Sequence, residues 1–208
     1  MADENKSQQG EWSSRFAFIL AATGSAVGLG NIWKFPYVTG ENGGGAFVLV
    51  YLLCVLLIGI PLMMAETMLG RRSKQNPIHT MEILTKEAAA DPNWHYLGWM
   101  GVAAGFLILS YYSGLFMLAT MLIVARGIEK GFEKSVGFLM PWLFALMILM
   151  VGYAMTTDGY FQGLNFLFKP DFSKLSAESV LVAMGQAFFS LSLGMGSIMV
   201  YGAYLPKD

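Results

Sequence analysis

The sequence predicts an all-α integral membrane protein, a multi-span helical bundle, and three observations carry this prediction. Hydrophobic residues make up 55% of the 208 residues and charged residues only 13%, a composition too apolar for a soluble domain of this length. Five charge-free runs are long enough to cross a hydrocarbon core of about 30 Å as a helix: 16–33, 42–65, 96–125, 135–157 and 179–206. Glycine clusters lie near the middle of the first run and within the last run.

The elements follow from these runs in chain order. We expect one membrane domain, 1–208, with spans near residues 14–38, 44–70, 96–125, 135–156 and 179–205. The polar stretch 157–178 interleaves glycine, proline and aromatic residues, which indicates an extramembrane loop with a short interfacial helix. The first span is not a signal peptide, because the preceding MADENKSQQG is mixed in charge and no small-residue cleavage site follows.

Basic residues set the expected orientation in the cell membrane. The connection 71–94 is rich in lysine and arginine and should be cytoplasmic, which places the N-terminus of this multi-pass chain inside as well. A second basic cluster, Arg126, Lys130 and Lys134, also favours the cytoplasm, yet only the run 96–125 separates the two. Two crossings need about 40 residues plus a turn. Either this cluster lies outside, or the run joins two spans with material missing between them, and we favour the second interpretation.

The glycine clusters GSAVGLGN, residues 24–31, and SLSLGMGS, residues 190–197, lie near mid-membrane in the first and last spans. Glycine lowers helix stability by about 1 kcal/mol relative to alanine, so such segments unwind readily. Unwound backbone is tolerated in a membrane only where it lines a cavity, and paired glycine-interrupted spans are typical of a transporter binding site. We therefore predict breaks at residues 26–30 and 191–196; close helix packing through small residues is the alternative.

The groups that two broken helices expose indicate which ligands the protein binds. Half-helix N-termini offer N–H groups to an anion and exposed carbonyls offer oxygens to a cation, so an amino acid with sodium ions would satisfy both. GSAVGLGN is not a GxGxxG phosphate loop, and it lies within a span. The sequence shows no metal-ligand cluster, and its net charge of −1 indicates no nucleic-acid partner. We expect that the protein is not an enzyme.

Four strings in this order resemble the neurotransmitter:sodium symporters, and closely their bacterial amino-acid members: WSSRFAFILAATGSAVGLGNIWKFPYVTGENGGGAF, GIPLMMAETMLGRR, GLNFLFKPDFSKL and GQAFFSLSLGMGSIMVYGAYL. The resemblance implies the first half of a leucine-transporter-type fold, truncated and internally deleted, with discontinuous first and last spans. It implies sodium-coupled symport of a neutral, apolar or aromatic amino acid. A non-transporting membrane fragment that acts at most as a partner or scaffold is the open alternative, and a channel is a third.

The resemblance also implies site residues. Sodium ligands would be Gly24, Ala26, Val27, Asn31 and Ser190. Substrate contacts would be Ala26, Leu29, Gly30, Tyr112, Phe188, Phe189, Ser190, Ser192 and Met195. Gate and latch residues would be Trp12, Arg15, Lys34 and Glu66. Lys34 stands where the family usually carries arginine and cannot form a bidentate fork. Glu66 resembles a buried glutamate that bonds the unwound first helix; a snorkelling end residue is the alternative. Chloride dependence and oligomeric state stay open.

The resemblance has a consequence for these 208 residues expressed by themselves. The remaining ligands of both sodium sites would come from spans beyond residue 208, so we expect no accumulation of substrate against a gradient. We also expect residues 96–125 to form one overlong helix or a helix with a kink near Ser113 and Gly114, the apparent join.

Overall fold

The structure is a computed structural model, and it describes residues 12–28, 30–111, 114–126 and 128–205. These residues are helical throughout, with turns between the helices and no strand among them. The α-helices are α1 (Arg15–Ala26), α2 (Phe35–Glu41), α3 (Gly45–Cys54), α4 (Ile60–Ser73), α5 (Pro77–Glu87), α6 (Tyr96–Tyr111), α7 (Gly114–Val124), α8 (Lys134–Ala154), α9 (Tyr160–Phe168), α10 (Ala177–Ser190) and α11 (Ser197–Ala203). The all-helical fold class is confirmed.

Several helices are joined or extended by turns of different pitch. π-helical turns occupy Gly30–Lys34, Val55–Gly59 and Ile128–Glu133, and 3₁₀ turns occupy Pro92–His95 and Phe172–Lys174. Turns of the π type inside α-helices occur frequently at functional sites. The turn Gly30–Lys34 directly precedes α2, and the turn Val55–Gly59 joins α3 to α4.

Both glycine clusters interrupt their helices where the sequence predicts. The helix α1 ends at Ala26 and the next helical turn starts at Gly30, while α10 ends at Ser190 and α11 starts at Ser197. The two breaks at 26–30 and 191–196 are therefore confirmed. Leu29, at the centre of the first break, lies outside the described residues.

Among the residues that the structure describes, two continuous helices are long and apolar enough to cross a membrane, namely Gly45–Ser73 and Gly131–Ala154. The broken pair Arg15–Ala26 and Gly30–Glu41 makes a third if it is one span. The expected third span is described as α6 and α7, whose join at Tyr112 and Ser113 lies outside the described residues. One helix or a kinked helix there stays a prediction.

The chain divides into two compact units. The first unit consists of Met1–Ala22, Met63–Phe138 and Gly194–Asp208. Within it α4 and α11 pack backbone to backbone, because a Cβ on Gly70 would come within 1.9 Å of the Met199 carbonyl and one on Gly202 within 2.4 Å of the Thr67 carbonyl. Small residues permit such close approach between membrane helices.

The second unit consists of Thr23–Leu62 and Leu139–Leu193. Its core is formed by Val38, Phe47 and Ala183, where α10 packs along α3, and the Phe47 side chain is fully buried. The Phe35 ring covers this core and lies tilted against Tyr51, with ring centroids 4.7 Å apart. This packing fixes α10 beside the segment that follows the first break.

Candidate functional site

The first break exposes the carbonyl end of α1, and the chain uses the next residues to satisfy it. The last four carbonyls of an α-helix have no partner within the helix. The Ala26 carbonyl accepts a hydrogen bond of 2.5 Å from Nδ2 of Asn31. The Gly28 carbonyl accepts the backbone N–H groups of Asn31 and Ile32, each at 3.0 Å. Asn31 thus bridges the end of α1 and the start of the next helical turn.

Asn31 also connects the first break to α10. Its Oδ1 accepts a hydrogen bond of 2.5 Å from the Ser190 hydroxyl and one of 3.4 Å from Nε2 of Gln186. The same Gln186 amide donates to the Gly30 carbonyl at 3.2 Å. Ser190 and Gln186 are buried and lie four residues apart on one face of α10. The structure therefore brings together Ala26, Asn31 and Ser190, all named from the sequence.

Gln186 is a site residue that the sequence reasoning missed. It donates to two groups of the first break and has only 5% of its surface exposed. Its spacing of four residues from Ser190, together with its amide in an otherwise apolar stretch, was the signal that could have found it. Ser25 was missed too, and its hydroxyl donates to Oγ of Ser192 at 3.2 Å.

A second line of contacts ties the first break to the end of α10. The ring of Phe189 lies over Gly30, where a Cβ would come within 2.0 Å of a ring carbon. Ser192 donates from its hydroxyl to the Ser25 carbonyl at 3.1 Å and has a positive φ of 54°. An L-residue in that left-handed conformation is uncommon, and such residues concentrate at ligand clamps and active sites. Phe188 is half-buried, whereas Phe189 is 41% exposed.

In the first unit, Glu66 lies against the break that follows α10. Its Oε1 accepts the Gly194 backbone N–H at 2.8 Å. Its Oε2 is buried with no hydrogen-bond partner in the part of the chain that the structure describes. Only 7% of the residue is exposed, so Glu66 is not a snorkelling side chain. The described bond goes to the backbone of the second break, because Glu66 lies on α4 beside the closely packed α11, and a bond to the unwound first helix stays a prediction.

The expected latch and gate residues occupy different surroundings. The indole of Trp12 is buried among Phe18, Phe132, Tyr201 and Tyr204 and donates to the Tyr201 carbonyl at 2.9 Å. Arg15 is exposed at the first residue of α1. In the second unit, Lys34 is exposed at the last residue of the π-helical turn.

Four other residues named from the sequence complete the account. Gly24 and Val27 lie at the carboxyl end of α1, where Val27 donates its N–H to the Thr23 carbonyl at 2.9 Å. Tyr112, like Leu29, lies outside the described residues. Met195 belongs to the first unit, where its backbone lies against Gly101.

Two helix breaks joined by neutral oxygen and amide groups are typical of the broken-helix class of membrane transporters. The chain belongs to the sodium:neurotransmitter symporter family, whose model matches residues 9–121 and 109–208. These two stretches overlap at 109–121, which agrees with missing material at the join near Tyr112. The resemblance found in the sequence is confirmed.

Relatives and a solved structure agree with this assignment. The chain is 41% identical to the uncharacterised sodium-dependent transporter YhdH of Bacillus subtilis, over 95% of this chain and 52% of the relative. It is 34% identical to an uncharacterised sodium-dependent transporter of Haemophilus influenzae, over 100% of this chain and 56% of the relative. The crystal structure of MhsT in complex with L-phenylalanine matches with a TM-score of 0.85 and 44% identity, over 96% of this chain and 55% of that chain.

The chain spans about half the length of these relatives. The alignment with the Bacillus relative covers 241 positions, more than the 208 residues of this chain. The relative therefore carries positions with no counterpart here, as expected for an internal deletion.

Proposed function

We propose that this chain supplies the broken-helix half of a sodium-coupled symporter for a neutral amino acid. The observation that carries the proposal is the hydrogen-bond network in which Asn31 joins the end of α1 to Ser190 on α10. Its groups are backbone carbonyls, an amide and a hydroxyl, which are the neutral oxygen ligands suited to a hard monovalent cation. The names of the relatives support sodium as the coupling ion.

One sodium ion would bind between the Ala26 carbonyl, Oδ1 of Asn31 and the Ser190 hydroxyl. The carbonyls of Gly24 and Val27 would serve a second ion. Oδ1 of Asn31 already accepts hydrogen bonds from Ser190 and Gln186, so an ion at this oxygen has to displace one of them. Sodium binding would then reorganise the first break, which gives the ion a differential effect on the conformation there.

The substrate would bind beside these ions. Its carboxylate would accept the N–H groups at the first break, those of Leu29 and Gly30. Its side chain would lie near Phe188, Phe189 and Ser192 of the second unit, of which Phe189 already packs on Gly30. An apolar or aromatic side chain suits such a lining. MhsT, which this chain resembles, was crystallised with L-phenylalanine.

Thermal unfolding of the purified chain in detergent tests the ion site. We expect the midpoint to rise with sodium chloride relative to potassium chloride, because a ligand that binds only the folded state stabilises it by mass action. Asn31→Ala should abolish this difference, whereas Asn93→Ala, an exposed asparagine in the first unit, should keep it. An equal sodium effect in Asn31→Ala would contradict the proposed site.

Binding of labelled L-phenylalanine to the purified chain in detergent, measured as the label retained by the protein, tests the substrate class. We expect leucine and other neutral amino acids to compete with the label, and glutamate and lysine not to compete. Competition by the charged amino acids with equal strength would contradict a neutral substrate.

The second candidate is a non-transporting fragment that acts as a membrane partner. The observation that favours it is that the chain spans about half the length of its relatives. Co-reconstitution with a second-half polypeptide in liposomes with a sodium gradient separates the two, since only one half of a symporter would then take part in accumulating substrate.

A further inference from the structure

A groove beside α9 in the second unit has no part in the network around Asn31. We call it the α9 groove, and its volume is about 530 Å³. Its polar lining comes from Gln162, Asn165, Lys169, Asp171 and Lys174, with the ring of Phe166 among them. Residues 162, 165, 166 and 169 follow helical spacing, so a single face of α9 forms one wall.

The opposite wall is the glycine turn before α3, and this turn requires glycine. Gly43 has a positive φ of 94°, and a Cβ there would come within 3.0 Å of the Lys174 side chain. At Gly44, with a φ of 63°, a Cβ would come within 2.7 Å of the Phe166 carbonyl. The 160–174 segment is thus seated closely on the turn, which holds the two lysines on one groove.

The charge of the α9 groove favours an anion. Lys169 and Lys174 supply two ammonium groups, against the single carboxylate of Asp171. That carboxylate already accepts the Ser173 hydroxyl at 2.6 Å and the Ser173 backbone N–H at 3.1 Å. These bonds, the hydroxyl first, lower the pKa of Asp171, so it stays ionised at neutral pH and leaves the groove with one net positive charge.

Large aromatic side chains lie beside the groove and are exposed on the surface of the chain. Phe161 and Phe168, seven residues apart on one side of α9, are 77% and 75% exposed, and Phe172 is also exposed. Five residues separate the end of the candidate span Gly131–Ala154 from the start of α9, a connection that reaches at most about 22 Å. α9 therefore lies near the membrane interface, where aromatic rings are enriched.

We propose that the α9 groove binds the anionic phosphate headgroup of a membrane lipid. The two lysines contact the phosphate, the amides of Gln162 and Asn165 donate to the headgroup oxygens, and Phe161 and Phe168 lie against the upper acyl chains. Lysine binds phosphate as a point charge, and basic pockets beside membrane spans hold anionic headgroups. Charge complementarity and the flanking phenylalanines together select a lipid over a free anion.

Native mass spectrometry of the full chain, titrated with phosphatidylglycerol or phosphatidylcholine, tests the proposal. We expect tighter binding of phosphatidylglycerol, and a loss of about five-fold in its affinity for each of Lys169→Gln and Lys174→Gln. Lys134→Gln, an exposed lysine in the first unit, is the matched control and should leave the affinity unchanged. Wild-type affinity in the Lys169→Gln/Lys174→Gln double variant would overturn the proposal.

Competition by inorganic phosphate distinguishes a groove that binds a lipid from one that binds a free anion. We expect phosphate to compete only weakly, and Phe161→Ser/Phe168→Ser to weaken phosphatidylglycerol binding with the two lysines in place. Both positions are exposed, so the substitutions leave the core intact. Full displacement of the lipid by inorganic phosphate, or unchanged lipid binding in the phenylalanine variant, would show that the groove binds a free anion and would overturn the lipid assignment.

Discussion

The contact between Gly30 and the Phe189 ring decides how the first break meets α10. A Cβ on Gly30 would come within 2.0 Å of a ring carbon, so Gly30→Ala must push the ring away. Overpacking of this kind costs about 1–3 kcal/mol. We expect Gly30→Ala to lower the unfolding midpoint in detergent and to weaken retention of labelled L-phenylalanine.

The neighbouring glycine provides the matched control. A Cβ on Gly28 would meet no heavy atom within 4 Å, so Gly28→Ala should leave the midpoint and the retention close to wild type. If both variants behaved alike, the effect would come from the flexibility of the break and not from the ring contact.

Glu66 accepts its described hydrogen bond through one of its two carboxylate oxygens. Its Oε1 binds the Gly194 N–H, whereas Oε2 is buried with no described partner. Glu66→Gln keeps an acceptor and removes a buried charge, so we expect stability equal to or above wild type. Glu66→Ala leaves the Gly194 N–H unpaired and should lower the free energy of unfolding by about 1–3 kcal/mol. Equal loss in both variants, measured by thermal unfolding, would show that the charge itself is required.

Single residues show where sequence reasoning stopped. Asn31 and Ser190 were named through the family strings, and the structure places their side chains 2.5 Å apart. Gln186 was not named, although it lies four residues before Ser190, because its partners depend on how α10 packs beside the first break. The carboxylate of Glu66 was named, but its described partner depends on the close packing of α4 and α11.

At the scale of elements, the breaks were predictable because their cause is local. Glycine clusters weaken the helix wherever they occur, and the helices end within them. The π-helical turns and the positive φ of Ser192 were not predictable, since non-glycine residues adopt such conformations only when the surrounding packing imposes them. The long run 96–125 was identified as irregular from length and charge alone, and the two family matches meet within it.

The second break depends on left-handed backbone at its end. Gly196 has a φ of 71°, and a Cβ there would come within 2.8 Å of Pro77 Cγ. Gly196→Ala should therefore lower the free energy of unfolding by about 1–2 kcal/mol, as measured by thermal denaturation in detergent.

Substitution of Gly185 by alanine should change the free energy of unfolding in the opposite direction in the same experiment. It lies inside α10, and a Cβ there would meet nothing within 4 Å. Gly185→Ala should raise stability by about 0.5–1 kcal/mol through helix propensity. A stabilising Gly196→Ala would mean that the second break does not need its left-handed turn.

At the scale of the whole molecule, the two compact units each hold part of the inferred machinery. The second unit contains the Asn31 network and the α9 groove, and the first contains Glu66 and the buried Trp12. Transport by alternating access requires one repeat of the fold to move against another. The 208 residues span about half the length of these relatives.

Reconstitution tests this directly. A polypeptide of these 208 residues in liposomes, with an inward sodium gradient, should not accumulate labelled L-phenylalanine, because coupling requires ion and substrate to favour the same conformational state and half of the ligands offers little differential free energy. Co-reconstitution with the second half of the Bacillus subtilis relative should restore sodium-driven uptake, and Asn31→Ala should remove it again. Uptake by the 208-residue polypeptide alone that Asn31→Ala abolishes would contradict the prediction, and would show that copies of the chain assemble a working site together.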